Sequence, residues 1–369
     1  MNWSRIIAMA RKEFFHIFRD PFTIAMALLF PVMLTTLFGL AIEFNVKNIP
    51  IAVFDGDRTQ SSRQLIETLG SSNYFVISPV YSQAEALEKV QSENTRAALI
   101  IPPRFEYLLR SGREAHAQTL LDGSDNSTIG SVMGYLGAIQ KTSAEKILQM
   151  EFPQPVDIQT RFLYNPELNS RWFVVPGLMV VVLSILSILL TALTVAREWE
   201  NGSMEMLLTT PAKPIEIILG KILPYLFLAL GGVVFVYLTA RIFFEVPFRG
   251  NHFVFVLGTL LFLATYLAQG LLISVLTRRQ QIAMQFSMMS GLLPSLLLSG
   301  FIFPVESMPK FFYYFTSILP ARWYMIISRD VFLKGAGLVE LAVPFAALLV
   351  ICLVMVTVAV CKFKKDLEP

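Results

Sequence analysis

Charged residues are scarce in this sequence. Asp, Glu, Lys and Arg make up 15% of the 369 residues, whereas soluble domains carry about 25%. Hydrophobic residues account for 54% of the chain, and the net charge of +3 is too small to indicate a nucleic-acid partner. This composition is typical of a membrane protein that lies in a lipid bilayer and also contains a polar segment.

Cysteine and histidine are almost absent as well. The two cysteines, Cys352 and Cys361, lie in one apolar run, about 13 Å apart along a helix, which is too far for a disulfide. The three histidines, His16, His116 and His252, are scattered along the chain. No metal-ligand spacing results, so we expect no metal site.

Motifs for catalysis and for nucleotide binding are missing too. The phosphate-loop pattern G-x-x-x-x-G-K-[ST] does not occur, because Gly220-Lys221 has Ile215 in place of the first glycine and is followed by Ile222. No G-x-S-x-G elbow or H-E-x-x-H motif is present either. We therefore expect a chain that is not an enzyme and holds no cofactor, so that a partner supplies the free energy for any work.

Long apolar runs dominate what is there. The first run has about 20 residues without a charge, which matches the thickness of a bilayer. The sequence predicts an α-helical polytopic membrane protein with six transmembrane helices. The predicted spans are Phe22–Ile42, Trp172–Val195, Ile222–Phe244, Phe253–Leu276, Ile282–Phe303 and Leu338–Cys361.

Lysine and arginine predict the orientation of these spans. Six spans place both termini on one side of the membrane. The segments on that side carry twelve Lys and Arg residues, whereas the two short loops on the other side carry five. Positive residues concentrate in cytoplasmic segments, so we expect both termini in the cytoplasm.

Residues 1–21 predict an amphipathic helix on the cytoplasmic membrane surface. Trp3, Ile6, Phe14 and other apolar residues recur at helical spacing, with basic residues mostly on the opposite side. A basic, aromatic helix of this kind fits an anionic leaflet. A solvated basic N-terminus is the alternative.

Residues 43–171 have the pattern of a small α/β domain. Short β-rich runs such as Ile49–Phe54 and Ala97–Ile101 alternate with helical patterns such as Gln60–Leu69. Long domains translocate despite their charges, so we expect an extracytoplasmic domain inserted between the first two spans. Turn chemistry explains its four aspartates better than a metal site does, namely Asp55, Asp57, Asp122 and Asp125.

The loop between the second and third spans is not built like a spacer. Its carboxylates and apolar side chains share about two helical turns, Gly202 permits a bend, and prolines end the helix. We expect residues 197–211 to form a coupling helix that inserts its apolar face into a partner. A membrane-surface helix that only satisfies its own apolar face is the alternative. The predicted coupling residues are Glu198, Trp199, Glu200, Gly202, Met204, Leu207 and Leu208.

Polar side chains form a stripe on the fourth and fifth spans. Close packing of helices is the first interpretation of the stripe, and a polar substrate path is the alternative. The predicted path residues are Gln269, Gln285, Ser290, Ser295 and Ser299.

Residues 304–337 are too interrupted by proline for a spanning helix. They are rich in aromatic residues and predict two re-entrant half-helices in the outer leaflet, which would shape an outer gate. The predicted gate residues are Pro304, Glu306, Pro309, Pro320 and Trp323.

Several motifs resemble those of a known family. The runs S-G-F-I-F-P-V-E-S-M-P, L-P-A-R-W and R-D-V-F-L-K-G resemble the C-terminal signature of ABC-2 type transporter permeases. A-R-E-W-E-N-G-S-M-E-M-L-L-T-T-P resembles the coupling helix of that family, although Trp199 stands where relatives often carry a charge, and R-K-E-F-F-H-I-F-R-D-P resembles its connecting helix. F-D-G-D-R-T and Y-N-P-E-L-N-S-R-W-F-V-V-P-G resemble the subgroup with a large extracytoplasmic insert, mainly bacterial drug-type exporters.

This resemblance implies a permease subunit of an ATP-binding cassette exporter in the bacterial inner membrane. The substrate does not carry over from the family, and a drug-like or lipophilic molecule is one candidate. Two such chains, identical or related, would form the pathway. A separate ATPase subunit would hold ATP and Mg²⁺ and bind the coupling helix, and a periplasmic adaptor protein is a further candidate partner.

Two other functions remain to be weighed. A non-transporting receptor or assembly scaffold, with a ligand-binding external domain, is the alternative. A secondary transporter is disfavoured, because the predicted spans lack the chain of carboxylates or histidines that a proton relay needs.

Overall fold

The computed structural model describes residues 2–41, 48–72, 74–92, 94–121, 126–148, 163–165 and 169–363. The chain divides into two compact units. One unit, which we call the helical unit, comprises Met1–Glu43 and Phe162–Pro369, and the other, the α/β unit, comprises Phe44–Arg161.

Two helices open the helical unit. Helix α1 covers Trp3–Arg19 and begins at Asn2, whose side chain accepts a hydrogen bond from the N–H of Ser4. Asp20 separates it from α2, which covers Pro21–Ala41. Proline is well placed at the first position of α2, because its missing N–H would have no partner there.

The α/β unit contains a four-stranded sheet in the order β2-β1-β3-β4. β1 is parallel to β2 and β3, and β4 is antiparallel to β3. The predicted alternation of strands and helices is confirmed, and the three predicted ranges Ile49–Phe54, Gln60–Leu69 and Ala97–Ile101 agree with the structure to within two residues at each end. The elements are β1 Ile49–Asp55, α3 Gln60–Ser71, β2 Phe75–Val80, α4 Gln83–Gln91, β3 Ala97–Ile101, α5 Phe105–Arg110, β4 Gln118–Leu121 and α6 Asn126–Leu148.

Aspartates at the end of β1 serve the backbone. Asp55 accepts hydrogen bonds from the N–H groups of Asp57 and Arg58, at 3.1 and 2.8 Å. Asp57 accepts from the N–H groups of Arg104 and Glu106, at 2.7 and 2.9 Å, and so caps α5. The turn interpretation is confirmed for Asp55, whereas Asp57 serves mainly to cap α5. Asp122 and Asp125 lie outside the described residues.

Eight helices complete the helical unit. Five helices of the described chain are long and apolar enough to cross a membrane, namely α2, α7, α9 with its π-helical extension to Phe243, α10 and α14. The bounds are α7 Ser170–Glu200, α8 Met204–Leu208, α9 Pro214–Leu238, α10 His252–Thr277, α11 Gln280–Leu297, α12 Lys310–Thr316, α13 Pro320–Arg329 and α14 Ala342–Lys362.

The predicted span Ile282–Phe303 differs from the structure. Its helix, α11, has 18 residues and ends at Leu297. It is not among the five helices that meet the length and hydropathy requirements, and it carries Gln280, Gln281 and Gln285. The number of six spans therefore stays a prediction.

Helix α7 forms the centre of the helical unit. Most of its apolar segment is buried, and it packs against α2, α9, α10, α11 and α13. Small residues bring the neighbours close: a Cβ at Gly232 of α9 would lie 2.5 Å from the carbonyl oxygen of Ala27 in α2. By contrast, α2 and α14 expose most of their apolar surface, as helices that face lipid or another chain do.

Candidate functional site

Helix α1 packs one face of its side chains against the start of α9. Ile6, Glu13 and Ile17 share its buried face, while Trp3 and Phe18 are exposed on the other side. Glu216 near the start of α9 accepts a hydrogen bond of 2.7 Å from the N–H of Asn2. The predicted amphipathic helix thus presents an aromatic face outward and a mixed face to the protein.

A buried ion-pair network joins α1, α7 and α9. Lys221 of α9 is 1% exposed and donates a hydrogen bond of 2.8 Å to Glu13 Oε1 of α1. Its Nζ also lies 2.9 Å from Glu198 Oε2 at the end of α7. Lys12 donates to the other oxygen of Glu198, at 2.9 Å. Helix α1 therefore meets α7 and α9 at one charged cluster, although its residues lie 186 and 208 positions before theirs.

A second set of polar contacts surrounds Arg197. Its guanidinium lies 3.7 Å from Asp20 Oδ2, and its Nε donates to Gln280 Oε1 at 3.4 Å. Asp20 in turn accepts from the hydroxyl and the N–H of Thr23 and from the N–H of Phe22. The hydrogen bond from the Thr23 hydroxyl is the main reason that the pKa of Asp20 lies below its usual value. Asp20 is thus a fixed anion at the start of α2.

The predicted coupling residues at the end of α7 are engaged inside the chain. Glu200 accepts hydrogen bonds from the N–H and side-chain amide of Gln280, at the start of α11. The Arg278 guanidinium lies 4.5 Å from the ring of Trp199. With Glu198 paired to two lysines, these residues bind α1, α9 and the α10–α11 connection to α7.

The expected docking face of the coupling helix differs from the structure at the short helix α8. Gly202 has a φ of +69°, which permits the bend between α7 and α8. Met204 and Leu207 are then turned into the core of the helical unit, 1% and 7% exposed, whereas Met206 is 73% exposed. The buried pair lies three residues apart on one helix face, so a partner could reach only the opposite face. The side chain of Leu208 lies outside the described residues.

A cavity of about 360 Å³ lies beside the charged cluster. Its polar end contains side chains from α1 and α7, and its apolar wall comes mainly from α7 and α11. The polar end is formed by Lys12, Glu13, His16, Arg197 and Glu198. The apolar wall includes Leu186, Leu189, Leu190, Leu193, Met284 and Met288. A pocket of this size suits a small amphipathic molecule.

The predicted path residues do not form one stripe. Ser295 is buried and shares a hydrogen bond of 3.1 Å with the Tyr266 hydroxyl, and Ser299 donates to the carbonyl of Ser295. Gln269 and Ser290 are half-buried, whereas Gln285 is exposed. None of the five lines the cavity. Ser295 therefore joins α11 to α10, and Ser299 bonds back to the end of α11.

The predicted gate residues lie around two short helices. Pro304 and Pro309 are exposed and precede a 3₁₀ turn and α12, while Pro320 is buried at the first position of α13. The Trp323 indole donates to the carbonyl of Ser317 at 2.9 Å. Glu306 is exposed.

Sequence reasoning missed the residues that hold these elements together. Arg322 donates to the Tyr313 carbonyl and to two hydroxyls at the end of α12. Arg329 donates to the Gly300 carbonyl at 2.8 Å, and its guanidinium lies 3.7 Å from the ring centroid of Phe173. Ionisable residues inside otherwise apolar segments, such as these and Lys221, are the signal that could have identified them.

Comparison with known proteins places the chain in a family. The sequence-family model of the ABC-2 family transporter proteins matches residues 21–361 of the chain. The chain is 32% identical to the probable multidrug ABC transporter permease YbhS of Escherichia coli, over 100% of this chain and 99% of that protein. It is 30% identical to the probable multidrug ABC transporter permease YbhR of the same organism, over 91% and 92% of the two chains. ABC transporter G family member 20 of Dictyostelium discoideum is 26% identical over 90% of this chain and 46% of that longer protein. The chain therefore belongs to the ABC-2 family of transporter proteins and is a permease, the multi-pass membrane component of such a transporter.

Proposed function

We propose that this permease exports lipophilic, drug-like molecules across the bacterial inner membrane, driven by a separate ATPase subunit that binds and hydrolyses ATP with Mg²⁺. Two copies of the chain, or this chain and a related one, enclose the pathway. The names of the two E. coli relatives, probable multidrug permeases, support a lipophilic substrate class.

This proposal rests on one observation: the connection between α7 and α9, residues 201–213, is fixed to the helical unit at both ends and in its middle. Ion pairs and packing hold both ends of this connection, and the buried Met204 and Leu207 anchor its middle. A connection fixed in this way transmits a displacement instead of absorbing it, because packed elements have few alternative arrangements. Force applied to α8 therefore reaches α1, α7 and α9 together.

The docking face for the ATPase is the exposed side of α8. Met206 is a large apolar side chain exposed there, and Glu205 and Thr209 flank it at the surface. A central apolar anchor with polar neighbours is the usual arrangement of an interface hot spot. Glu198 and Glu200 act behind this face by keeping the end of α7 in place.

The remaining parts follow from a six-span topology with both termini in the cytoplasm. In that topology α12 and α13 lie at the outer end of the pathway, and Arg322 and Arg329 hold the half-helices that form the gate. The α/β unit is extracytoplasmic and is the surface to which a periplasmic adaptor would bind. The exposed faces of α2 and α11 are available for a second permease chain.

Co-purification tests the proposal. The affinity-tagged chain is expressed with a candidate ATP-binding cassette ATPase subunit from the same organism. The complex is purified in nanodiscs and assayed for ATP hydrolysis, and ATP-dependent dye transport is measured in proteoliposomes. We expect a stable complex and transport that stops when the catalytic glutamate of the ATPase is replaced. A chain that retains no ATPase, and whose α/β unit binds a ligand without it, would instead be a receptor or scaffold.

A further inference from the structure

The charged side chains at the polar end of the cavity are paired with neighbours that differ in how firmly they are held. Lys221 is 1% exposed between Glu13 and Glu198, so its ammonium stays in place. Asp20, the partner of Arg197, is held by hydrogen bonds from Phe22 and Thr23. The charge of Arg197 is thus already balanced within the chain by this aspartate, and its Nε donates to Gln280.

Lys12 is the exception. Its side chain is 58% exposed, whereas its partner Glu198 is 12% exposed and lines the cavity. An ion pair with one solvent-exposed lysine contributes little, because water and the entropy of the long side chain compete with it. Another cation can therefore replace Lys12 on Glu198 at small cost.

The walls of the cavity suit the body of such a cation. Tyr225 and Phe22 bring aromatic rings to the cavity, and aromatic faces attract cations. Met284 and Met288 are flexible side chains that adapt to different apolar shapes. The leucines of α7 add an apolar surface beside them.

We infer that this cavity binds an amphipathic monovalent cation, whose positive group pairs with Glu198 in place of Lys12 and whose apolar body lies against α7 and α11. The inference rests on the proposed function, because it treats the cavity as the place where an exported substrate first binds and names the class of that substrate. It goes beyond that function in assigning the sign of the substrate charge and the side chain that recognises it.

Two ions of one shape and opposite charge test the assignment. The purified permease, without ATPase, is placed in nanodiscs of phosphatidylglycerol, and binding of tetraphenylphosphonium and tetraphenylborate is measured by equilibrium dialysis against empty nanodiscs. We expect saturable binding of the phosphonium and only lipid partitioning of the borate. Saturable binding of the borate with equal or higher affinity would overturn the inference.

Variants then locate the site. Glu198→Gln should weaken phosphonium binding about tenfold, since a charge pair in a partly buried site is lost. Lys12→Met should strengthen it about threefold, and this gain cannot come from misfolding. Lys362→Met, which removes the same charge from the exposed end of α14, should change nothing. Unchanged binding in both Glu198→Gln and Lys12→Met would refute the site.

A lipid ammonium could occupy the same position. A parallel set of nanodiscs containing phosphatidylethanolamine distinguishes this source: phosphonium binding should persist there, and its abolition would reassign the site to lipid and overturn the substrate interpretation. Because no ATPase is present, a negative result here leaves the co-purification test unaffected, and the two proposals fail independently.

Discussion

Lys221 is a buried counterion that Glu13 and Glu198 share. Its substitution by methionine keeps the apolar stem but leaves Glu13 and Glu198 without their shared counterion. We expect Lys221→Met to destabilise the permease by about 3–5 kcal/mol, because removal of one partner exposes the desolvation cost of the others. The measurement is the thermal unfolding midpoint in detergent. Lys213→Met, at the exposed start of α9, is the matched control and should stay within about 0.5 kcal/mol; equal midpoints for the two variants would contradict the role of Lys221.

Asp57 makes the α/β unit sensitive to acid. Burial acts to raise the pKa of Asp57, but the hydrogen bonds from Glu106, Thr59 and Arg104 outweigh it and hold the pKa below 3.8. A lowered pKa in the folded state means that the ionised group stabilises the fold above pH 3.8, and that this stability is lost as the pH falls through the folded value.

Asp57→Ala should therefore cost about 1–2 kcal/mol at pH 7, as the loss of a helix cap does. Hydrogen exchange of the full-length chain, read on β1 and α5, measures the difference, which should shrink when the pH falls below 3.8. Glu67→Ala, at an exposed site on α3, is the control. A difference that stays the same at pH 3 would show that the carboxylate charge is not the cause.

The roles of Asp57 and Lys221 differ in how much of them can be predicted from the sequence. The place of Asp57 in a turn could be predicted from its neighbours in sequence, whereas its hydrogen bonds from Arg104 and Glu106, 47 and 49 positions away, could not. Lys221 and Glu13 are 208 positions apart, and nothing in either local pattern indicates the other. Their pairing exists only because α1 folds back onto α9, which is a tertiary contact.

Helix crossings are decided by small residues at single positions. Gly232 of α9 lies where α2 crosses, and a Cβ there would meet the Ala27 carbonyl at 2.5 Å, whereas a Cβ at Gly231 would meet only the end of the Leu28 side chain, at 3.1 Å. We expect Gly232→Ala to destabilise by about 1–3 kcal/mol, since backbone cannot move aside easily. Gly231→Ala should be neutral or stabilising, because alanine favours helix. The measurement is the thermal unfolding midpoint of both variants in the same detergent. Equal losses of stability in the two variants would mean that α2 and α9 do not cross this closely.

Two adjacent residues of α8 have different expected roles: Met206 in docking of the ATPase and Leu207 in folding of the permease. Met206→Asp changes an exposed side chain, so we expect intact folding and loss of most ATPase binding and stimulated hydrolysis. Leu207→Asp buries a carboxylate in the helical unit, so we expect low yield and aggregation instead. Gel filtration of the permease followed by co-purification with the ATPase measures both. Full binding by a well-folded Met206→Asp variant would show that the ATPase docks elsewhere.

Elements with local signals were predicted well, and the loop helix was not. The strands and helices of the α/β unit follow from alternation, caps and prolines close in sequence. The predicted coupling helix of 197–211 is instead divided, because α7 continues to Glu200 and α8 begins at Met204. Glu198, Trp199 and Glu200 find partners on α1, α9 and the α10–α11 connection, and those contacts extend α7 beyond its apolar segment.

At the scale of the whole molecule, buried and exposed helices indicate how the permease is assembled. The central α7 is covered by its neighbours, whereas α2, α11 and α14 keep large apolar side chains exposed. Composition alone identified all of them as apolar, since hydropathy does not distinguish a lipid-facing helix from a central one. The distinction comes from packing, in which glycines and serines bring α7 close to its neighbours.

Helix α11 decides the topology of the chain. Its 18 residues extend about 27 Å, slightly less than the hydrocarbon thickness of about 30 Å. If α11 crosses, six spans leave both termini in the cytoplasm; if it does not, the C-terminus lies outside. We place single cysteines at Ser71, Glu205 and Lys362 in a background without Cys352 and Cys361. We expect an impermeant maleimide to label position 71 in cells with a permeable outer membrane, and positions 205 and 362 only after the inner membrane is opened. Labelling at 362 from outside, with 205 still protected, would mean five spans and an α11 that stays on one side of the bilayer.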